Sequence, residues 1–201
     1  MKNIYTLVIT IFLSIFLTSN ISADEKLDKI SLKSAVVFNT LCSKCHEGQC
    51  SGRLTFDTGS DAASNHIKRY CDDVTLSACE VKEYFTLLNY MKKECLLFMP
   101  KNIKYDGKNL LTFATSSRQR YFIPLGLLKK GEYKLLISNK EDLPYRVEII
   151  SSQFDAYLDR SICSSIKTKE FEFSIDEKIN YYIRISSKKA IIFESLEIVK
   201  D

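Results

Sequence analysis

The chain has 201 residues, 45% of them apolar, and a net charge of +4 from 29 basic and 25 acidic side chains. That composition suits a globular protein and excludes a collagen-like or wholly disordered one. Two histidines and no tryptophan stand against seven cysteines. A site built on three or four histidines is therefore excluded, and with no run of like charge a phosphate-tracking surface is not expected.

The amino terminus reads Met1, Lys2, Asn3, then a mostly apolar stretch from Ile4 to Leu17, then Thr18 to Ala23 before Asp24, Glu25 and Lys26. A basic start, a short apolar core and a small-residue exit predict a signal peptide over 1–23 cleaved after Ala23. The apolar core is short for a membrane span, which needs about 20 residues. The expected location is periplasmic or otherwise exported, which is where cysteines can pair.

From Lys26 to Met99 the pattern is helical, broken by a glycine-bearing loop at Glu47 to Ser60. Leu27, Ile30, Val37 and Leu41 recur at helical spacing, and so do Tyr84, Leu87, Leu88 and Met91. A helix around His66, capped by Ser60 or Asp61, lies between them. Pro100, Lys101 and Asn102 mark a junction that divides the mature chain into 24–101 and 102–201. Beyond it the runs Tyr133 to Ile137, Tyr145 to Ile149, Phe171 to Ile175 and Tyr181 to Ile185 are rich in β-branched and aromatic residues. Turn clusters such as Lys130-Gly131-Glu132 bound them. Strands at this spacing predict a β-sandwich. The mild positive balance lies on this half, in scattered lysines that read as solvated surface.

Cys42-Ser43-Lys44-Cys45-His46 is a CxxCH segment, the attachment sequence of a c-type haem. Two thiols about one helical turn apart can add to neighbouring vinyl groups, and the adjacent imidazole then faces the iron. Cys42 and Cys45 are thus the expected thioether cysteines of one covalent haem c per chain, with His46 the proximal metal ligand. A thioredoxin-like CxxC would need a βαβ context, and zinc would need a further cysteine.

Over about 70 residues the sequence resembles the class I cytochrome c family. Phe38 stands four positions before the first haem cysteine, where the family has an aromatic residue, and Ser34 stands where it usually has glycine. Tyr90-Met91-Lys92 loosely matches the family's last-helix triplet. The resemblance implies an all-α cytochrome c-like haem domain over 24–101, followed by an all-β sandwich over 102–201. The family's usual distal methionine is missing from the loop Cys71 to Cys79, which leaves His66 as the expected distal ligand, Met99 as its alternative, or an open position.

Of the remaining cysteines, Cys50, Cys71, Cys79 and Cys95 allow three connectivities, of which Cys71 with Cys79 and Cys50 with Cys95 is preferred. Cys163 is left single. The expected function is that of an exported monohaem one-electron carrier with a redox donor and acceptor, whose β-sandwich docks a partner or touches a cell surface or polysaccharide. Nothing arranges a catalytic acid–base pair, so no enzyme is expected. The rivals are a haem-based gas binder or sensor and a haem-free, disulfide-stapled surface-binding protein.

Overall fold

The computed structural model describes residues 27–43, 64–67, 69, 76–100, 105, 107–163 and 168–201. The backbone groups into two compact units, Met1–Ile30 and Ser31–Asp201. The first is described only at its end, where the Ile30 N–H closes a turn on the Leu27 carbonyl. Everything that follows lies in the second.

Helix α1 (Leu32–Val37) starts at Ser31, whose Oγ accepts from the Ser34 N–H at 3.1 Å. It runs on into a π-helical turn, Phe38–Cys42. There the Thr40 hydroxyl donates to the Val36 carbonyl and the Ser43 hydroxyl to the Asn39 carbonyl. Such back-bonding competes with the regular ladder, and wide turns of this kind follow from it. Helix α2 (Ala78–Glu94) opens with a full capping box: Ser77 Oγ accepts from the Glu80 N–H, and the Glu80 carboxylate accepts from the Ser77 N–H. Its apolar face, Val81, Tyr84, Leu87, Leu88 and Met91, is buried. Ser31 donates to Glu83 at 2.8 Å and Lys33 pairs with Glu80 at 3.5 Å, tying the start of α1 to α2. Among the described residues no helix is long and apolar enough to cross a membrane.

A 3-10 turn, Leu110–Phe113, precedes seven strands: β1 (Arg120–Leu127), β2 (Gly131–Asn139), β3 (Tyr145–Ser151), β4 (Ala156–Ile162), β5 (Lys169–Ile175), β6 (Asn180–Ser186) and β7 (Phe193–Lys200). The four strand runs expected from sequence fall within β2, β3, β5 and β6. The strands form two antiparallel sheets, sheet A in the order β1-β6-β3-β4 and sheet B in the order β5-β2-β7. Alternate residues point between the sheets and form one core, with Tyr121, Ile123, Val147, Ile149, Ile183 and Ile185 from sheet A meeting Tyr133, Leu135, Ile137 and Phe173 from sheet B.

Sheet A is also buried on its other face. Phe122 and Tyr182 lie out of phase with the inner residues, yet both are at most 1% exposed, and Ile150 is buried as well. The helical layer covers them: α1 packs on β1, and Asn39 Nδ2 donates to the Tyr182 hydroxyl at 3.4 Å. Beyond this apolar patch the same face carries a row of charges. Arg184 grips Glu148 through two bonds of 2.7 and 2.8 Å, and Arg146 grips Asp159 at 2.8 and 2.6 Å while lying 3.3 Å from Glu148.

This architecture corrects the expected pairing of an all-α cytochrome c-like haem domain with an all-β sandwich. The described fold is mainly β, and its helices form a layer on sheet A. The physical reason is the second apolar face of that sheet. The buried stripe of α1 and α2, read from sequence as the shell of a separate helical domain, belongs to a layer that shields Phe122 and Tyr182 from water.

Phe122→Ala is expected to cost about 3–5 kcal/mol in urea denaturation, the usual price of an emptied aromatic site. Leu111→Ala, at a side chain 51% exposed, should cost under about 0.5 kcal/mol. Equal small losses would mean that the helical layer does not cover sheet A. The hydrogen bonds from Arg146 hold the Asp159 carboxyl below its ordinary range. A carboxylate lowered by folding adds stability above its unfolded pKa and loses it as pH falls through the folded one. The wild-type melting temperature should therefore drop on acidification from pH 5 to pH 3 more steeply than that of Arg146→Gln.

Candidate functional site

The residues expected to form an iron site are placed as follows. Cys42 ends the π-helical turn as a half-buried thiol. Cys45 and His46 lie outside the described residues, so the geometry of a covalent haem attachment lies outside them too. His66 is exposed on a helical stretch beside the buried Ile67. Met99 is half-buried, and its sulfur accepts from Asn39 Nδ2 at 3.1 Å and from the Tyr182 hydroxyl at 3.3 Å. Burial pushes the Tyr182 phenol up to about 12, so it remains a donor to that sulfur at neutral pH. The structure therefore brings Met99 to the seam between the helical layer and sheet A.

The expected Cys71–Cys79 bridge is corrected, because Cys79 is an exposed thiol in the first turn of α2. Cys163 is an exposed thiol after β4. Cys95, at the left-handed C-cap of α2, is disulfide-bonded. Cys50 and Cys71 lie outside the described residues.

A cleft of about 510 Å³ opens where the edge strand of each sheet meets the other, between β1 and β7. Small-ligand sites span roughly 300–1,000 Å³. Its floor is aliphatic, with Leu125, Leu196 and Ile198, and Leu127 stands at its rim, 55% exposed. A bulge produces this arrangement. Leu125 is the extra residue between Pro124, opposite Tyr182, and Gly126, opposite Tyr181, and Gly126 takes a φ of 73° that favours glycine. Pro124 lacks an N–H, which an edge strand tolerates, and its carbonyl accepts the Tyr105 N–H at 2.8 Å. Tyr105 is thereby pinned to one wall, its ring edge-on to Phe113.

Tyr133 forms another wall. Its ring stacks on Phe173 with centroids 5.6 Å apart, and its hydroxyl donates to the Lys129 carbonyl at 2.7 Å. Lys200, its cross-strand neighbour on β7, lays its ammonium 5.8 Å from the ring centroid and 3.4 Å from the Lys130 carbonyl. Gly131 makes room for this, since a Cβ there would meet Lys200 Cε at 2.8 Å, and its φ of 150° favours glycine. Lys129 and Glu197 supply the remaining charged groups. The site thus offers an apolar floor, an aromatic wall and a rim of cations, a carboxylate and backbone carbonyls. It can hold an amphipathic ligand with a hydrocarbon face and a hydroxylated or charged edge.

Sequence reasoning missed these residues. Tyr133 reads as strand core, which it partly is, and Lys129 and Lys200 read as solvated surface. The Gly131 turn was the one local hint. Only the β2–β7 register brings Lys200 over Tyr133.

No protein-family model and no curated protein matches the chain. Several solved structures are similar to it. One is described as "CBM4 structure and function", with 12% identity and a TM-score of 0.32 over 43% of this chain and 65% of that one. The second is a family GH115 4-O-methyl-α-glucuronidase with specificity for decorated arabinogalactans, at 8% and 0.34 over 72% of this chain and 25% of that one. The third is a glycoside hydrolase family 43 arabinoxylan arabinofuranohydrolase from Bacillus subtilis in complex with cellotetraose, at 10% and 0.25 over 40% of this chain and 19% of that one. The chain spans less than two thirds of the length of each.

The cytochrome c-like resemblance, and with it the reading as a monohaem electron carrier or haem-based sensor, is corrected. The architecture is mainly β, and the helices that were expected to enclose a haem pack instead as a layer on sheet A. Of the described cysteines, Cys42, Cys79 and Cys163 are thiols and Cys95 is in a disulfide.

Gly131→Ala should lower stability by about 1 kcal/mol or more, because alanine adopts this φ only with strain. It should also move the Lys200 head out of the cleft. A thermal melt tests the first outcome and the tyrosine fluorescence of Tyr133→Phe against Gly131→Ala the second; an unchanged melting temperature would contradict the backbone strain.

Proposed function

We propose that this protein is a carbohydrate-binding module that holds sugar rings in the β1–β7 cleft and performs no chemistry on them. The observation that carries the reading is the combination of an aliphatic floor and a pinned Tyr105 ring with polar groups confined to the rim. A pyranose has the matching anatomy, with apolar C–H faces and a girdle of hydroxyls. Its faces pack on Tyr105, Leu125 and Ile198, while its hydroxyls reach Glu197, Lys129 and the nearby carbonyls.

The same residues suit binding without catalysis. Most glycoside hydrolases use two carboxyl groups, about 5–5.5 Å apart when retaining and 6.5–9.5 Å apart when inverting. Among the described lining residues, Glu197 is the one carboxylate. The expected export of the chain would place such a module among extracellular or periplasmic polysaccharides, and the polysaccharide contact expected of the β half becomes its main role.

Native affinity electrophoresis in gels containing soluble polysaccharides tests the reading. Migration should be retarded by at least one of them, and Tyr105→Ala should weaken binding roughly tenfold, a loss of about 1.4 kcal/mol. Retardation by no polysaccharide, or equal retardation of Tyr105→Ala, would remove the cleft from this function.

A further inference from the structure

We propose that the cleft selects an acidic sugar, with Lys200 and Lys129 receiving the carboxylate of a uronate residue. This inference rests on the carbohydrate reading above and specifies its ligand.

Several charges on the helices and on the two sheets are paired with one another. Lys134 on sheet B contacts Glu170 and Glu172, Lys33 contacts Glu80, and Arg146 and Arg184 share Glu148 and Asp159. The two cleft lysines lie outside these pairs. Among the described residues neither Lys129 nor Lys200 has an ion pair, and Lys200 is met by a neutral carbonyl and a ring face. Two ammonium groups against one carboxylate leave the described lining with an excess of one positive charge.

Placement argues in the same direction. A freely solvated terminal lysine gains nothing from a fixed position. Lys200 is instead placed by its register opposite Tyr133, beside that ring and in the space that the missing Cβ of Gly131 leaves. A cation held over an aromatic wall is ready to accept an anion at the edge of a sugar ring whose face rests on apolar side chains.

Affinity electrophoresis and titration calorimetry on the full chain test this, using polygalacturonate, alginate and glucuronoxylan beside the carboxyl-reduced form of each. Reduction removes the charge and leaves a neutral sugar. The wild type should bind at least one acidic polymer about fivefold or more tightly than its reduced form at low salt, with the preference shrinking as salt rises. Lys129→Gln with Lys200→Gln should abolish that preference. Lys188→Gln with Lys189→Gln removes the same charge from the β6–β7 loop, beside Gln119 at the far end of β1, and should preserve it. Equal binding of acidic and reduced polymers would overturn the inference and leave the carbohydrate reading standing. So would equal losses in the two double variants, which would reveal general attraction by net charge. Binding of no polymer, acidic or neutral, would bring down the carbohydrate reading as well.

Discussion

Sheet A is apolar on both faces, and this constraint sets the rest of the structure. An antiparallel sheet with one solvated face needs only a partner sheet. Here Phe122, Tyr182 and Ile150 project opposite to the sandwich core, and each would expose a large apolar surface if the chain ended at two layers. Burying a phenylalanine or tyrosine side chain is worth about 1.5–3 kcal/mol. The helical layer is the cover that collects this gain. Asn39, Met99 and the Tyr182 hydroxyl form its polar contact with the sheet. Where the cover ends, the face becomes charged, and the Arg184–Glu148–Arg146–Asp159 row lets sheet A meet water without leaving a buried ion unpaired.

Sheet B solves the same problem differently. Its outer face carries Glu132, Lys134, Glu170 and Glu172, with Lys134 bonded to two of the glutamates and Ser174 donating to the third at 2.6 Å. Such a face is satisfied by its own cross-strand pairs and by solvent. A four-stranded sheet packed on a three-stranded one leaves the β1–β7 margin incompletely closed. The bulge at Leu125 and the turn at Gly131 shape that margin into a cleft.

Much of the fold was legible in the sequence where periodicity is a local property. Strands β2, β3, β5 and β6 alternate or carry β-branched and aromatic runs, and the face of α2 repeats at helical spacing. Strand β1 was missed because Tyr121, Phe122 and Ile123 are apolar in succession, the mark of a strand covered on both sides, and because Pro124 and Gly126 read as breakers. Strand β4 was missed because Asp159, Arg160 and Ser161 give an edge strand a polar run. The two-sided burial of sheet A misled at a higher level. A helix with an apolar stripe announces that it packs against something, but not against what. Beside a CxxCH segment, a haem supplied the nearest explanation. The cleft was illegible for a related reason: Tyr105, Lys129, Tyr133 and Lys200 are scattered in sequence, and tertiary register alone assembles them.

The location of the cleft follows from what the other surfaces can no longer do. The covered part of sheet A is occupied by helices, and its open part is committed to a charge row in which every formal charge has an opposite within hydrogen-bonding reach. A ligand landing there would have to replace bidentate contacts already made, which strongly opposes binding. The outer face of sheet B imposes the same cost through Lys134 and its glutamates. At the β1–β7 margin the balance reverses. Leu127 is exposed, Tyr105 is fixed but half open, and the ammonium of Lys200 contacts a carbonyl and a ring and has no ion pair among the described residues. Apolar area and cationic charge there are both unspent, so a ligand gains from covering them and displaces nothing that already has a better partner.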